Sequence, residues 1–364
     1  MANLQIEALR TPDERFASLP GFLYPPHYVE GLPGYGGLRV HYLDEAPAGA
    51  ASGRTVLCLH GQPTWCYLYR KMIPAFTAAG HRVVAPDLLG FGRSDKPVDD
   101  AVYTFLFHRN LLLRFVEALD LRRVTLVVQD WGGLLGLTLP MEFPDRIDRL
   151  IVMNTGLGIG RSPGPGFDAW QAFVAAKPDF DIAALMQRSV PGLTGAEAAA
   201  YAAPFPDARY RAGVRRFPAL VPVTPDMEGV AESLRAAEFF RERWSGPTFM
   251  AIGMQDPVLG PPVMHRLAKT IRGCPPPLEV PHAGHFLRST AGRWPKPRCA
   301  HPVTPDGRYR AIRLLRTAAA ALSSAPAGCL GGGGLLHGGD AREAQGNAVA
   351  GLPGRDAARA GLAA

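Results

Sequence analysis

Asp130 is the residue whose type and position point most directly to chemistry. It follows an apolar, β-branched run at residues 124–128 and precedes a Gly pair and a second apolar run, in the sequence Thr-Leu-Val-Val-Gln-Asp-Trp-Gly-Gly. This pattern predicts a buried strand that turns sharply into a helix and exposes one side chain at the corner. The exposed carboxylate is therefore a candidate nucleophile.

A carboxylate at this corner predicts a different reaction from the serine that is usual there. Serine attacking a saturated carbon would form an ether, which water and a histidine do not readily cleave. Aspartate forms an ester, and water can attack the ester carbonyl to restore the enzyme. The sequence thus predicts alkyl transfer from carbon to Asp130, followed by hydrolysis of the ester.

Two further residues extend the arrangement in the order nucleophile, acid and histidine. Asp256 follows a predicted strand at 248–252, and His285 follows a predicted strand at 278–280. This is the order that an α/β-hydrolase layout requires, and an imidazole held by a carboxylate can deprotonate water near neutral pH. Taken singly, each residue could be a turn residue or a hydrogen-bonded histidine. In combination, we predict Asp130, Asp256 and His285 as the catalytic residues.

The same layout predicts a backbone site for the oxyanion of the intermediate. One N–H group comes from the residue after the nucleophile and one from the first strand–helix loop. These residues are Trp131 and Gln62, the latter in the motif His-Gly-Gln-Pro at 60–63. The sequence leaves open whether the Gln62 side chain takes part.

The elements around these residues alternate between strands and helices. Strands are predicted at 38–45, 55–59, 82–85, 124–128, 150–153, 248–252 and 278–280, and helices at 67–79, 105–119 and 134–142. Alternation at this spacing indicates an α/β protein with the α/β-hydrolase fold, in which a mostly parallel sheet is flanked by helices.

The alternation predicts how the chain divides into domains. Residues 1–156 and 241–289 form the two parts of the core, and residues 157–240 form an inserted helical cap. The cap is predicted as helical pieces separated by Pro191, Pro204, Pro206, Pro218, Pro222 and Pro225. Since open parallel sheets bind ligands at the carboxyl ends of their strands, we expect the site between the cap and the sheet.

Residues 290–364 differ from the rest, being rich in Ala, Gly, Arg and Pro and without durable periodicity. GC-rich codons for residues 293–301, read two nucleotides on, can encode the helix-forming sequence Val-Ala-Glu-Ala-Ala-Leu-Arg-Ala. We hypothesise that this aberrant, low-complexity tail is a frameshift product that lacks a final packing helix. The alternative is a natural disordered extension, and resequencing that finds an intact frame would end the hypothesis.

Composition and charge exclude several classes of partner. The chain has 364 residues and a net charge of +7, but residues 290–364 carry ten Lys/Arg and four Asp/Glu, so the basic balance belongs to the tail and argues against nucleic acid. No apolar run reaches the roughly 18 residues of a membrane span. The polar start of the chain lacks a secretion signal, so a cytoplasmic location is expected. The five scattered cysteines lack metal-ligand spacing.

Four motifs resemble those of the haloalkane dehalogenases, an α/β-hydrolase family. They are His-Gly-Gln-Pro-Thr-Trp at 60–65, Pro-Asp-Leu-Leu-Gly-Phe-Gly-Arg-Ser-Asp-Lys-Pro at 86–97, Val-Gln-Asp-Trp-Gly-Gly at 128–133 and Tyr-Ala-Ala-Pro-Phe-Pro at 201–206. The resemblance covers about residues 1–288 and is nearest to the subfamily typified by the dichloroethane-degrading enzyme.

The resemblance implies hydrolysis of a haloalkane to a primary alcohol and halide through a covalent alkyl-aspartate ester. It implies that the indole N–H groups of Trp131 and Trp170 bind the halide, and an indole is a donor without acceptor capacity. It also implies no metal and no organic cofactor, and a small haloalkane, water and halide as partners. The sequence leaves the oligomeric state open, and a monomer is the default expectation. The subfamily usually has Glu at the position of Gln62, so the charge that helps to order the hydrolytic water is lost.

Other functions stay open at this stage. An epoxide hydrolase shares the Asp-Trp motif but needs cap tyrosines, for which Tyr201 and Tyr210 are candidates. A fluoroacetate dehalogenase would need arginines where Leu134 and Leu135 stand. An inactive, misfolded product is a further alternative, because losing a buried helix could remove a free energy comparable to the total stability. Expected apolar pocket walls, for which a core role is also open, are Phe167, Phe205, Phe217, Val221 and Leu259.

Overall fold

The structure, a computed structural model, describes residues 6–287. The predicted tail at 290–364 and the frameshift hypothesis therefore lie outside the described residues. Within residues 6–287, no helix has both the length and the apolar character that crossing a membrane requires.

An eight-stranded sheet lies at the centre of the described residues. In spatial order, its strands are β10 (Leu278–Val280), β9 (Thr248–Gly253), β8 (Ile147–Met153), β7 (Val124–Gln129), β4 (Thr55–Leu59), β5 (Arg82–Pro86), β3 (Val40–Glu45) and β2 (His27–Val29). Neighbouring strands pair in parallel from β10 to β5, whereas β3 pairs antiparallel with both of its neighbours, β5 and β2. Every residue of β4 and β7 is buried, as expected for parallel strands covered on both faces.

Two very short strands and a set of helices complete the described fold. Strands β1 (Ala8–Leu9) and β6 (Lys96–Pro97) form a separate antiparallel pair. The α-helices are α1 (Ile73–Ala78), α2 (Phe105–Ala118), α3 (Trp131–Gly136), α4 (Pro165–Ala176), α5 (Ile182–Ser189), α6 (Gly195–Ala202), α7 (Ala212–Leu220), α8 (Val230–Glu242) and α9 (Pro261–Thr270). The 3₁₀ helices are Asp13–Phe16, Cys66–Tyr69, Asp100–Val102 and Ala208–Arg211.

Two of the predicted helices have the wrong bounds. The region 67–79 contains a 3₁₀ helix and then α1, which begins next to Pro74 because proline favours the first turn of a helix. The region 134–142 was predicted as a helix, but α3 starts directly after the corner and ends at Gly136. Thr138 and Leu139 make i to i−3 hydrogen bonds, and Pro140 has no N–H to extend the helix.

Helices α4 to α8 lie between β8 and β9 in the chain, and we call them the helical insertion. Pro218 lies inside α7 instead of separating two helices, and α8 continues to Glu242, beyond residue 240. The division into domains at 156, 240 and 289 stays a prediction.

Core side chains hold the helical insertion through its main-chain carbonyls. The hydrogen bonds are Thr11 Oγ1 to Pro204 O at 2.7 Å, Arg15 Nε to Ala203 O at 3.2 Å, Gln62 Nε2 to Val214 O at 3.0 Å and Trp65 Nε1 to Ala200 O at 3.1 Å. All four donors belong to the first 65 residues, and the acceptors lie in α6, in α7 and in the segment between them. These bonds therefore fix the insertion against the core.

Candidate active site

Asp130 lies at the corner between β7 and α3, in a strained backbone conformation. Its φ of 53° and ψ of −126° are rare for a residue with a Cβ. The Asp130 N–H donates to the Asn154 carbonyl at 3.0 Å, and its carbonyl accepts from Thr155 Oγ1 at 2.7 Å. The next turn packs so closely that a side chain at Gly132 would overlap the Leu59 carbonyl oxygen. Tertiary contacts therefore hold the corner in place.

The three predicted catalytic side chains meet at the carboxyl ends of their strands. His285 Nε2 lies 3.4 Å from Asp130 Oδ2, and His285 Nδ1 lies 2.8 Å from Asp256 Oδ2. Asp130 follows β7, Asp256 follows β9 and His285 follows β10. One imidazole thus bridges two carboxylates that are far apart in the sequence.

The two carboxylates control the protonation of this histidine. Burial lowers the pKa of His285, but the charges and hydrogen bonds of Asp256 and Asp130 outweigh burial and raise that pKa to about 10. Burial raises the pKa of Asp256, but the charge of His285 and hydrogen bonds from His285, Asn154 and the Val258 N–H outweigh it, so that the pKa lies below its usual value. Asp256 is therefore a fixed anion next to the ring.

Asn154 is a site residue that the sequence reasoning missed. Its Nδ2 donates to Asp256 Oδ2 at 2.6 Å, and its Oδ1 accepts from the Gly253 N–H at 2.8 Å. It directly follows buried β8, so a polar residue at the carboxyl end of an apolar strand was the signal that could have found it. Asn154 orients the carboxylate that in turn orients His285.

Replacing Asn154 by alanine is expected to slow turnover without removing it. Asp256 would lose one donor and the Gly253 N–H its acceptor, which costs about 1–3 kcal/mol, and a loss of this size in transition-state stabilisation is about 10- to 100-fold in rate. Product formation and thermal unfolding measure the two effects. Asn110→Ala, on the exposed face of α2, is the matched control; equal rates in both variants would contradict the orienting role.

Of the two N–H groups predicted to bind the oxyanion, one contacts the Asp130 carboxylate. The Gln62 N–H donates to Asp130 Oδ1 at 2.8 Å. Among the hydrogen bonds of residues 6–287, none joins the Trp131 N–H to that carboxylate, so its role stays a prediction.

The Gln62 side chain has a defined contact with the helical insertion. Gln62 is buried, and its Nε2 donates to the Val214 carbonyl at 3.0 Å. In a regular helix this carbonyl would accept from the N–H of residue 218, but Pro218 has none. The amide of Gln62 therefore satisfies a carbonyl that the proline leaves without its helical donor. A glutamate carboxylate could not donate this hydrogen bond.

Replacing Gln62 by glutamate is expected to reduce the free energy of unfolding by about 1–3 kcal/mol, because two acceptors would face each other in a buried position. Urea denaturation measures the change, with Gln187→Glu on the exposed surface of α5 as the control. Pro218→Ala restores the helical donor, so the double variant is expected to lose less than the sum of the single losses. Additive losses would show that the two residues do not act on the same carbonyl.

A cavity of about 700 Å³ opens onto the Asp130 carboxylate. Asp130, Trp131, Trp170, His285 and Gln62 all contribute to its lining, so the two predicted halide-binding indoles lie in the same cavity as the candidate nucleophile. Of the expected walls, Phe167, Val221 and Leu259 line the cavity, whereas Phe205 and Phe217 do not. Phe217 instead packs behind Trp131, with ring centroids 4.5 Å apart, and Phe205 and Phe217 both pack on Phe91.

Among the described residues, one cluster outside the candidate active site has the spacing of a metal site. His41, Cys66 and Asp87 lie close together and are buried. The Asp87 carboxylate accepts from His41 Nδ1 at 2.7 Å, from the Cys66 N–H at 2.7 Å and from the Arg93 N–H at 2.9 Å. Protein donors thus already use its oxygens, and we interpret this cluster as a structural network.

Comparisons with known proteins identify the fold and the family. The family described as the alpha/beta hydrolase fold matches residues 54–289. A haloalkane dehalogenase of Psychrobacter cryohalolentis is 45% identical over 292 residues, which is 79% of this chain and 95% of that protein. One from Mycobacterium marinum is 43% identical over 79% of this chain and 96% of its own length. The chain belongs to the haloalkane dehalogenase family of α/β hydrolases.

A solved structure gives the same family and corrects one expectation. The haloalkane dehalogenase DpaA from Paraglaciecola agarilytica is 51% identical, with a TM-score of 0.75 over 78% of this chain and 95% of that chain. Its structure is described as tetrameric. The expectation of a monomer does not fit this comparison; it was only a default, because the sequence motifs carry no information on subunit contacts.

Proposed function

We propose that this chain hydrolyses haloalkanes to an alcohol, a halide ion and a proton. The observation that carries the proposal is the position of His285 between two carboxylates, one of which replaces serine at the strand–helix corner and faces a cavity. Family membership supports the same reaction. The proposed catalytic residues are Asp130, Asp256 and His285.

In the first step, an Asp130 oxygen attacks the carbon that bears the halogen. A C–O bond forms, the C–X bond breaks, and the bonding electron pair leaves with the halide. Trp131 and Trp170 stabilise the departing anion through their indole N–H groups, which suit a weakly hydrated ion in an apolar cavity. The product is an alkyl ester of Asp130.

In the second step, His285 removes a proton from water, and the resulting hydroxide attacks the ester carbonyl. Asp256 stabilises the imidazolium, and the N–H groups of Gln62 and Trp131 stabilise the oxyanion. The C–O bond to the carbonyl breaks, and the alcohol leaves with a proton. Ester formation has neutralised Asp130, so one of the causes that raise the pKa of His285 is absent when the base is needed.

We also propose that the helical insertion acts as the cap over this site. Phe167, Trp170 and Val221 of the insertion line the cavity together with core residues, which supports a mostly apolar environment for the reaction. A cytoplasmic location and the dichloroethane-type subfamily stay predictions from the sequence.

Epoxide hydrolysis receives less support from the cavity. No tyrosine among the described residues lines it. Tyr201 is buried, and its hydroxyl accepts a hydrogen bond from Arg70 at 3.2 Å. Its hydroxyl is thus already held elsewhere, whereas an epoxide oxygen needs a donor inside the cavity.

The test is halide and alcohol formation from a terminal bromoalkane and from 1,2-dichloroethane by the full chain. We expect equal amounts of halide and alcohol, and no diol from a terminal epoxide under the same conditions. Diol formation without halide release, by a protein that unfolds cooperatively, would overturn the proposal in favour of epoxide hydrolysis.

A further inference from the structure

Gln129 contacts the candidate base directly, although the reaction as described so far does not use it. It is the last residue of β7, immediately before Asp130, and only 1% of it is exposed. Its Nε2 lies 3.0 Å from His285 Nε2 and 3.3 Å from the His285 carbonyl oxygen. A single buried amide therefore reaches both the ring and the main chain of His285.

These two contacts determine which way the amide faces. The His285 carbonyl oxygen can only accept, so the amide NH₂, and not its oxygen, must face it. The second N–H of that NH₂ then points at His285 Nε2, which can accept only when it carries no proton. The amide oxygen is buried and has no hydrogen-bond partner in the described residues. Since a buried acceptor without a partner costs free energy, the contacts with His285 must outweigh that cost.

We propose that Gln129 is a positioning residue that fixes the rotation of the His285 ring and disfavours a proton on Nε2. The ring is then held with its Nδ1–H towards Asp256 and its Nε2 lone pair towards the cavity, ready for the hydrolytic water. When water arrives, one N–H of Gln129 releases Nε2 while the other stays on the main-chain carbonyl. This inference deepens the proposed function and rests on it.

The contact opposes the effect of the two carboxylates. Among the described residues, Asp256 and Asp130 are the charged groups recorded against the ring, and both raise the pKa of His285. Protonation of Nε2 would bring its new N–H against the amide NH₂ of Gln129, so this amide lowers that pKa. A proton on Nε2 would also pair with Asp130 Oδ2, 3.4 Å away, and weaken that carboxylate as a nucleophile. By disfavouring this proton, Gln129 favours both the attack by Asp130 and the hydrolysis of the ester.

Single-turnover ester hydrolysis, followed as a function of pH, tests the role. The base must be unprotonated, so the rate rises with pH through the pKa of His285. Gln129→Glu replaces the donor by an acceptor that stabilises the imidazolium. We expect the midpoint of the rate increase to move to a higher pH by about one unit or more, so that hydrolysis below the midpoint is about tenfold slower. Gln129→Met removes the donor and is expected to move it in the same direction by less.

The control and the first-turnover halide separate the possible failures. Gln187→Met, on the exposed surface of α5 and outside the cavity lining, is expected to leave the profile unchanged. Slower hydrolysis with an unchanged midpoint of the pH dependence in both Gln129 variants would overturn the positioning role. Absence of halide in the first turnover of the parent chain would instead defeat the proposed dehalogenation.

A measurement on the unaltered chain keeps the inference testable if the variants do not fold. Nitrogen-15 NMR of the imidazole follows the protonation of His285 Nε2 without turnover. In the neutral ring we expect the proton on Nδ1, which faces Asp256, and no proton on Nε2, which faces Gln129. A neutral ring with its proton on Nε2 would show that Gln129 does not impose this arrangement.

Discussion

Halide release is expected to fall by about 10⁴-fold or more in Asp130→Asn, because among residues 6–287 no other carboxylate lines the cavity and loss of a nucleophile removes the covalent route. The amide keeps the size of the side chain, and asparagine tolerates the positive φ of 53° at this corner better than most residues. The Gln62 N–H still finds an oxygen to bind. The variant should therefore fold and still admit a haloalkane to the cavity.

Halide titration over several hours, with mass spectrometry to confirm that the amide is intact, measures the loss. Asp226→Asn changes an exposed aspartate between α7 and α8 and serves as the matched control. Release from Asp130→Asn at more than a tenth of the parent rate would mean that another group attacks the substrate or that water attacks it directly.

The second large effect is expected in His285→Gln, where the reaction should stop halfway. Asp130 can still displace halide, but no base activates the water that must hydrolyse the ester. We expect one halide per protein molecule in a burst, then a steady rate lower by about 10⁴-fold, in line with loss of a catalytic base. The mass of the protein should rise by that of the alkyl group, located on the peptide that contains Asp130.

His27→Gln, in β2 at the opposite edge of the sheet from β10, is the control for this variant. It should show continuous turnover and no stable adduct. A His285→Gln protein that continues to turn over, or one that shows a burst but carries no added mass on Asp130, would contradict the two-step mechanism.

Chain order and strand ends were sufficient to predict which three side chains meet at the candidate site. Asp130, Asp256 and His285 each follow an apolar strand, and the carboxyl ends of parallel strands meet at one edge of the sheet. The alternation of strands and helices predicted the α/β-hydrolase fold, and the motif resemblance predicted the family; the comparisons confirm both. The indole of Trp170 depended on the resemblance, because periodicity alone does not distinguish a cavity wall from helix packing.

The residues that orient this site could not be predicted in the same way. Asn154 and Gln129 act through tertiary hydrogen bonds to residues more than 100 positions away. The amide contact of Gln62 depends on a proline inside α7, where the sequence predicted a break. Strand β2 was missed because its three residues are all half-buried and show no alternation between a buried and an exposed face.

The hydrogen bonds from Thr11, Arg15, Gln62 and Trp65 end on main-chain carbonyls of the helical insertion. Every residue type carries such a carbonyl, so these attachments do not depend on which side chains the insertion displays. The side chains of these helices can therefore change between related enzymes, so that haloalkanes of other shapes are accepted, while the hydrogen bonds to the main chain stay the same. Libraries that vary cavity-facing side chains of α4 to α8 should keep their fold more often than libraries that vary the four donors.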